Sequence, residues 1–166
     1  MKKQTLVMGI AAAAAVLAAA VPASADWKSL PGLSCVKQGT AGTLSVTTTG
    51  AASNAATTVL KLYCPLVRDE STWDTDDVRL TVVDANGGAL AANNFACRVV
   101  AQDDDTISWT PTSNKSNATS ASTAAQQINV PVNIGYAYGA YFIDCSVPGA
   151  GSLGASSVIN YAWNET

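Results

Sequence analysis

The chain has 166 residues, of which 13% are charged, and it contains no histidine. That length fits one domain rather than two. The missing histidine excludes serine–histidine and cysteine–histidine nucleophile pairs and every histidine-ligated metal site.

Residues 1–25 read as a secretory signal peptide. Lys2 and Lys3 are followed by an uncharged run from Leu6 to Val21, then Pro22 and the small residues Ala23-Ser24-Ala25. The run has about 16 residues, short for a membrane span, so no span is expected after cleavage. Cleavage leaves seven Lys+Arg against twelve Asp+Glu, a net charge near −5. Such a surface repels phosphate backbones, which argues against nucleic acid as a partner. The expected location is secreted or periplasmic.

Residues 26–42 read as an irregular N-terminal segment pinned by Cys35. A β domain is expected over 43–166. Its first strand is Thr43–Thr49, followed by a small-residue loop, Ala51–Ala56. Thr57–Leu66 is a clear strand, with Leu60, Leu62, Cys64 and Leu66 on one face. Arg68–Asp77 is a polar loop. Val78–Asp84 is a strand that buries Val78, Leu80 and Val82, and Ala85-Asn86-Gly87-Gly88 is a turn. Phe95–Gln102 places Phe95, Cys97, Val99 and Ala101 on one face. Thr106–Thr110 is a short run that holds Trp109, and residues 111–125 form a loop poor in large apolar groups. Gln126–Val130, Ile134–Tyr138 and Ala140–Cys145 are strand-like. Ser157–Trp163 closes the chain with Ile159, Tyr161 and Trp163 alternating. About eight short strands with frequent turns predict an antiparallel β-sandwich, jelly-roll or Ig-like.

Four cysteines without a C-x-x-C pair suit two structural disulfides in an oxidising compartment. Three connectivities exist. Cys97 and Cys145 both fall on inward faces of strands, which favours pairing them and leaves Cys35 with Cys64. Loop entropy gives roughly 3.5–4 kcal/mol for each bond.

The order Cys64-Pro65-Leu66-Val67-Arg68-Asp69, then V-x-D-x-N-G, a cysteine strand, and Cys145-x-x-Pro148 resembles a loose group of small secreted bacterial proteins without an assigned activity. The resemblance spans roughly residues 60–163 and implies a β-sandwich fold and no chemistry.

The densest polar signal is the acidic stretch 69–77, with Asp69, Glu70, Asp74, Asp76 and Asp77 around Trp73. Asp103, Asp104 and Asp105 form a second cluster. Oxygen ligands from two converging loops would suit calcium; a solvated charge run is the competing reading. Trp73 and Trp109 each lie beside an acidic cluster, where a ring can stack on a sugar while carboxylates accept hydroxyl protons. Covering sheet edges would explain both rings equally well. Tyr136, Tyr138, Tyr141 and Phe142 read as strand residues. Glu70 and Glu165 are the only glutamates, and a small domain offers little depth for a glycosidase pair.

These features point first to an exported, non-catalytic sandwich with a binding or surface-structural role. The alternative is a carbohydrate-binding module, with or without calcium; a small glycoside hydrolase ranks third. A polysaccharide or cell-surface component is the expected partner, and edge strands leave room for self-association.

Overall fold

The computed structural model describes residues 26–67, 77–86, 95–102, 109–111, 115–116, 121–132 and 140–165. Their strands are β1 (Asp26–Pro31), β2 (Val36–Gln38), β3 (Leu44–Val46), β4 (Ala52–Asn54), β5 (Leu60–Leu66), β6 (Asp77–Val83), β7 (Ala96–Gln102), β8 (Trp109–Pro111), β9 (Lys115–Ser116), β10 (Gln126–Pro131), β11 (Ala140–Val147) and β12 (Ser157–Glu165). All pairings are antiparallel, and they form two sheets. The first runs β10-β6-β12-β4-β3, with β1 also on β12; the second runs β2-β5-β11-β7-β8, with β9 also on β7.

Period-two alternation explains the long strands. On β5, Leu60, Leu62, Cys64 and Leu66 are buried while Lys61 and Pro65 are exposed. On β6, Val78, Leu80 and Val82 are fully buried. Val99 and Ala101 from β7 and Tyr141, Ile143 and Val147 from β11 complete the second sheet's inner face. Tyr161 and Trp163 fill the core from β12. The Tyr161 hydroxyl crosses the sandwich and donates to the Pro65 carbonyl at 2.9 Å. Burial pushes its pKa up from 10.0 to about 12, against a smaller opposing effect of the Ser34 hydroxyl.

Both disulfides are the expected pairs, Cys35–Cys64 and Cys97–Cys145. Cys97–Cys145 joins neighbouring strands of the second sheet, and Cys35–Cys64 ties the residue before β2 to β5. Cys97 and Cys145 stand directly opposite in register. Cys35 precedes Val36, the partner of Tyr63, so it falls beside Cys64. All four lie on the core side, at most 3% exposed.

Several sequence expectations change. The irregular lead-in contains β1, which pairs with β12 along its whole length, from Asp26↔Glu165 to Pro31↔Asn160. Its inner positions, Lys28 and Leu30, carry one apolar group between them, too little to display a strand pattern. The chain then crosses between sheets at a 3-10 turn, Gly32–Ser34. A Cβ on Gly32 would stand 2.0 Å from the Val158 carbonyl oxygen, so only glycine allows this crossing. Ala52–Asn54 is a paired strand, not a loop. All three of its residues are buried, so no alternation marks it. Pro111 and Lys115–Ser116 pair on β7 although their segment reads as loop; edge pairing needs only backbone groups. Asp77 belongs to β6 rather than to the preceding loop. Ile159 does not alternate with Tyr161 and Trp163. A register shift between Val158 and Asn160 moves the inward position to Val158 and leaves Ile159 half-buried.

Buried polar groups tie one end together. Asn54 is fully buried; its Nδ2 donates to the carbonyls of Thr58 (2.8 Å), Val147 (3.1 Å) and Pro148 (3.0 Å). Its Oδ1 accepts from the Thr43 and Ala56 amides at 3.2 and 3.1 Å. Asp84, also fully buried, accepts from the Asn86 and Phe95 amides, both at 3.2 Å.

Candidate ligand-binding face

The second sheet's outer face is built from residues that alternate with the core set. On β5 these are Lys61, Tyr63 and Pro65; on β11, Phe142, Asp144 and Ser146; on β7, Arg98 and Val100. The register places Asp144 between Tyr63 on one side and Arg98 on the other, with Phe142 beside Pro65 and Val100 in the next row. Tyr63 and Phe142 are therefore diagonal neighbours. Their ring centroids lie 4.6 Å apart at 47°, and both side chains are half-buried.

Polar groups flank this ring pair. Arg98 Nε and Nη2 both donate to Asp144 Oδ2, at 2.9 and 2.7 Å. The Arg98 side chain is 40% exposed, while Asp144 is only 9% exposed. Asp144 Oδ1 is buried without a hydrogen-bond partner. The carboxylate thus holds the guanidinium in place from beneath. Lys61 Nζ donates to Ser146 Oγ in the adjacent row. Aromatic surface beside a few oriented donors is the general form of a saccharide or small-ligand site.

The first sheet's outer face is arranged differently. Trp27 is 40% exposed. The Arg79 guanidinium sits 4.0 Å above its ring centroid, with Asp77 4.0 Å from Arg79. One face of that ring is therefore already occupied. An apolar crevice of about 300 Å³ opens at the sandwich end beside β1, lined by Lys28, Ser29, Leu30, Val67 and Trp163.

Most residues singled out by sequence lie outside the described set: Asp69, Glu70, Trp73, Asp74, Asp76, Asp103, Asp104 and Asp105. Trp109 starts β8 opposite Gln102. Asp77 opens β6, its amide donating to Asn164 Oδ1 at 3.1 Å. Val67 and Asp77 bound the first acidic stretch, and Gln102 and Trp109 bound the second. These boundaries share one end of the sandwich: Leu66 and Gln102 flank the start of β11, and Val67 and Trp163 line one crevice. Among the described residues no three Asp, Glu or Cys side chains could hold a metal ion together. Sequence reasoning did not single out Tyr63. Its signal was present: an aromatic at a polar position of an alternating strand.

No family model matches the chain. No curated protein matches it either. Among solved structures it is similar to the low-affinity xylan-binding module CBM86 of Roseburia intestinalis, with a TM-score of 0.55 and 9% identity over 85% of this chain and 96% of that one. It is also similar to the GH26-CBM35 β-(1,4)-mannanase of Podospora anserina, with a TM-score of 0.51 and 10% identity over 84% of this chain and 28% of that one. A family two carbohydrate esterase of Cellvibrio japonicus gives a TM-score of 0.49 and 7% identity. The chain spans 34% of the esterase. At these identities the likeness is one of fold, the β-sandwich. Among the described residues no helix is long and apolar enough to cross a membrane.

Proposed function

We propose that this chain is an exported, non-catalytic polysaccharide-binding module whose ligand lies across the outer face of the second sheet. The observation that carries this reading is the Tyr63–Phe142 ring pair beside the Arg98–Asp144 ion pair. A pyranose ring offers an apolar face of C–H groups and an equator of hydroxyls. Tyr63 and Phe142 supply matching apolar area with little side-chain entropy to lose. Arg98 and Lys61 supply donors at the rim, and Asp144 fixes the guanidinium before the ligand arrives. The fold shared with a xylan-binding module supports the reading.

The test is affinity electrophoresis of the disulfide-bonded protein through gels containing different polysaccharides. Wild type is expected to be retarded in at least one gel. Tyr63→Ala is expected to remove that retardation, a loss of about 1–3 kcal/mol in binding, while its far-ultraviolet circular dichroism stays unchanged. Equal retardation of wild type and Tyr63→Ala would overturn the reading.

A further inference from the structure

We infer that the ligand of this face is an acidic polysaccharide, one carrying uronate carboxylates; this rests on the binding reading above. The inference comes from where the charges stand. The sequence holds twelve carboxylates. Apart from Asp84 and Asp144, all belong to the stretches 69–77 and 103–105 or to the strand ends Asp26 and Glu165. The described boundaries of those stretches, and the Asp26↔Glu165 pair, share one end of the sandwich. The platform is charged the other way. Its exposed ionic groups, among described side chains, are Lys61 and the outer part of Arg98; its one carboxylate, Asp144, is 9% exposed and bound to Arg98.

Lys61, Arg98 and Asp144 together leave this face net positive in a chain of net charge −3, which favours an anionic sugar over a neutral one. Arg98 spends Nε and Nη2 on a single oxygen of Asp144, so Nη1 remains to donate to a carboxylate. Lys61, two residues before Tyr63 on β5, adds a second positive charge beside the rings, its Nζ donating to Ser146 Oγ.

The experiment is isothermal titration of the disulfide-bonded protein with glucuronoxylan and polygalacturonate, each also in a carboxyl-reduced form, and with inorganic polyphosphate as a plain polyanion. The expected result is roughly tenfold tighter binding to an acidic polymer than to its reduced form. Raising salt from about 0.05 M to about 0.5 M should erase most of that preference. Lys61→Gln, an exposed position, should lose several-fold more affinity for the acidic form than for the reduced form. Arg98→Lys is the second variant; it keeps a charge beside Asp144 but loses the fork. Equal affinity for acidic and reduced polymers would overturn the inference and leave the platform reading standing. Polyphosphate binding as tight as the uronate polymer would also overturn it, since charge alone would then suffice. If no polysaccharide binds in either form, the platform reading itself fails.

Discussion

The two sheets bury similar apolar faces but are held together differently. The second sheet carries both disulfides, Cys97–Cys145 between adjacent strands and Cys35–Cys64 at the start of β2. The first carries none and relies on its ladders, the β1–β12 zipper and the polar contacts of Asn54 and Ser156. Their outer faces differ as well. On the stapled sheet, Tyr63, Arg98 and Asp144 are the chain neighbours of Cys64, Cys97 and Cys145. Three of the platform's groups are thus one residue from a covalent cross-link. On the other sheet the most exposed ring, Trp27, sits at an edge strand under Arg79. Exposure alone would select the wrong ring. Preorganised backbone and the pairing of two half-buried rings select Tyr63 and Phe142.

The largest effect should come from unstapling. Cys97→Ser is expected to cost about 2–5 kcal/mol in denaturant unfolding. Breaking Cys35–Cys64 should cost nearly as much; sequence separations of 48 and 29 differ by only about 0.5 kcal/mol in loop entropy. If reductant leaves the thermal melt unchanged, the second sheet does not depend on its staples.

Asn54→Ala comes next. It leaves the carbonyls of Thr58, Val147 and Pro148 without their Asn54 donor, at about 2–3 kcal/mol. A loss below about 0.5 kcal/mol in the same unfolding assay would show that the first sheet does not need this link.

Tyr161→Phe should cost about 1 kcal/mol near neutral pH through the lost bond to Pro65. Its clearer signature is alkaline. The folded-state pKa of about 12 lies above the ordinary 10.0, so the folded state holds the proton more tightly. The resulting stability is present below pH 10 and is lost as pH rises through about 12. Wild type should therefore lose stability over that window, and Tyr161→Phe should lose less. Parallel pH profiles would contradict the buried hydroxyl. The smallest effect belongs to Trp27→Ala, below about 1 kcal/mol, because the Arg79 contact is solvent-exposed.

Much of this fold was legible in the sequence. Leu60 to Leu66 and Val78 to Val82 alternate, Phe95 to Ala101 does so up to the buried Val100, and each buries the expected face. The inward positions of Cys97 and Cys145 identified one disulfide, and the other followed. What stayed hidden has physical causes. β1 has only Leu30 as an inner apolar group, β4 is buried on all positions, and the shift at Ile159 breaks the period inside one strand. The platform was hidden for another reason. Tyr63 and Phe142 are distant in sequence, and only the β5–β11 register makes them neighbours. The acidic stretches drew attention because their residues are adjacent in the chain.

The most direct measurement is amide chemical-shift mapping of the isotopically labelled protein during titration with an oligosaccharide of a polymer that retards it. The account predicts that the perturbed amides cluster at Lys61–Leu66, Arg98–Gln102 and Phe142–Ser146. Perturbations confined to Trp27–Pro31, Arg79 and Asn160–Asn164, with the second sheet silent, would contradict it.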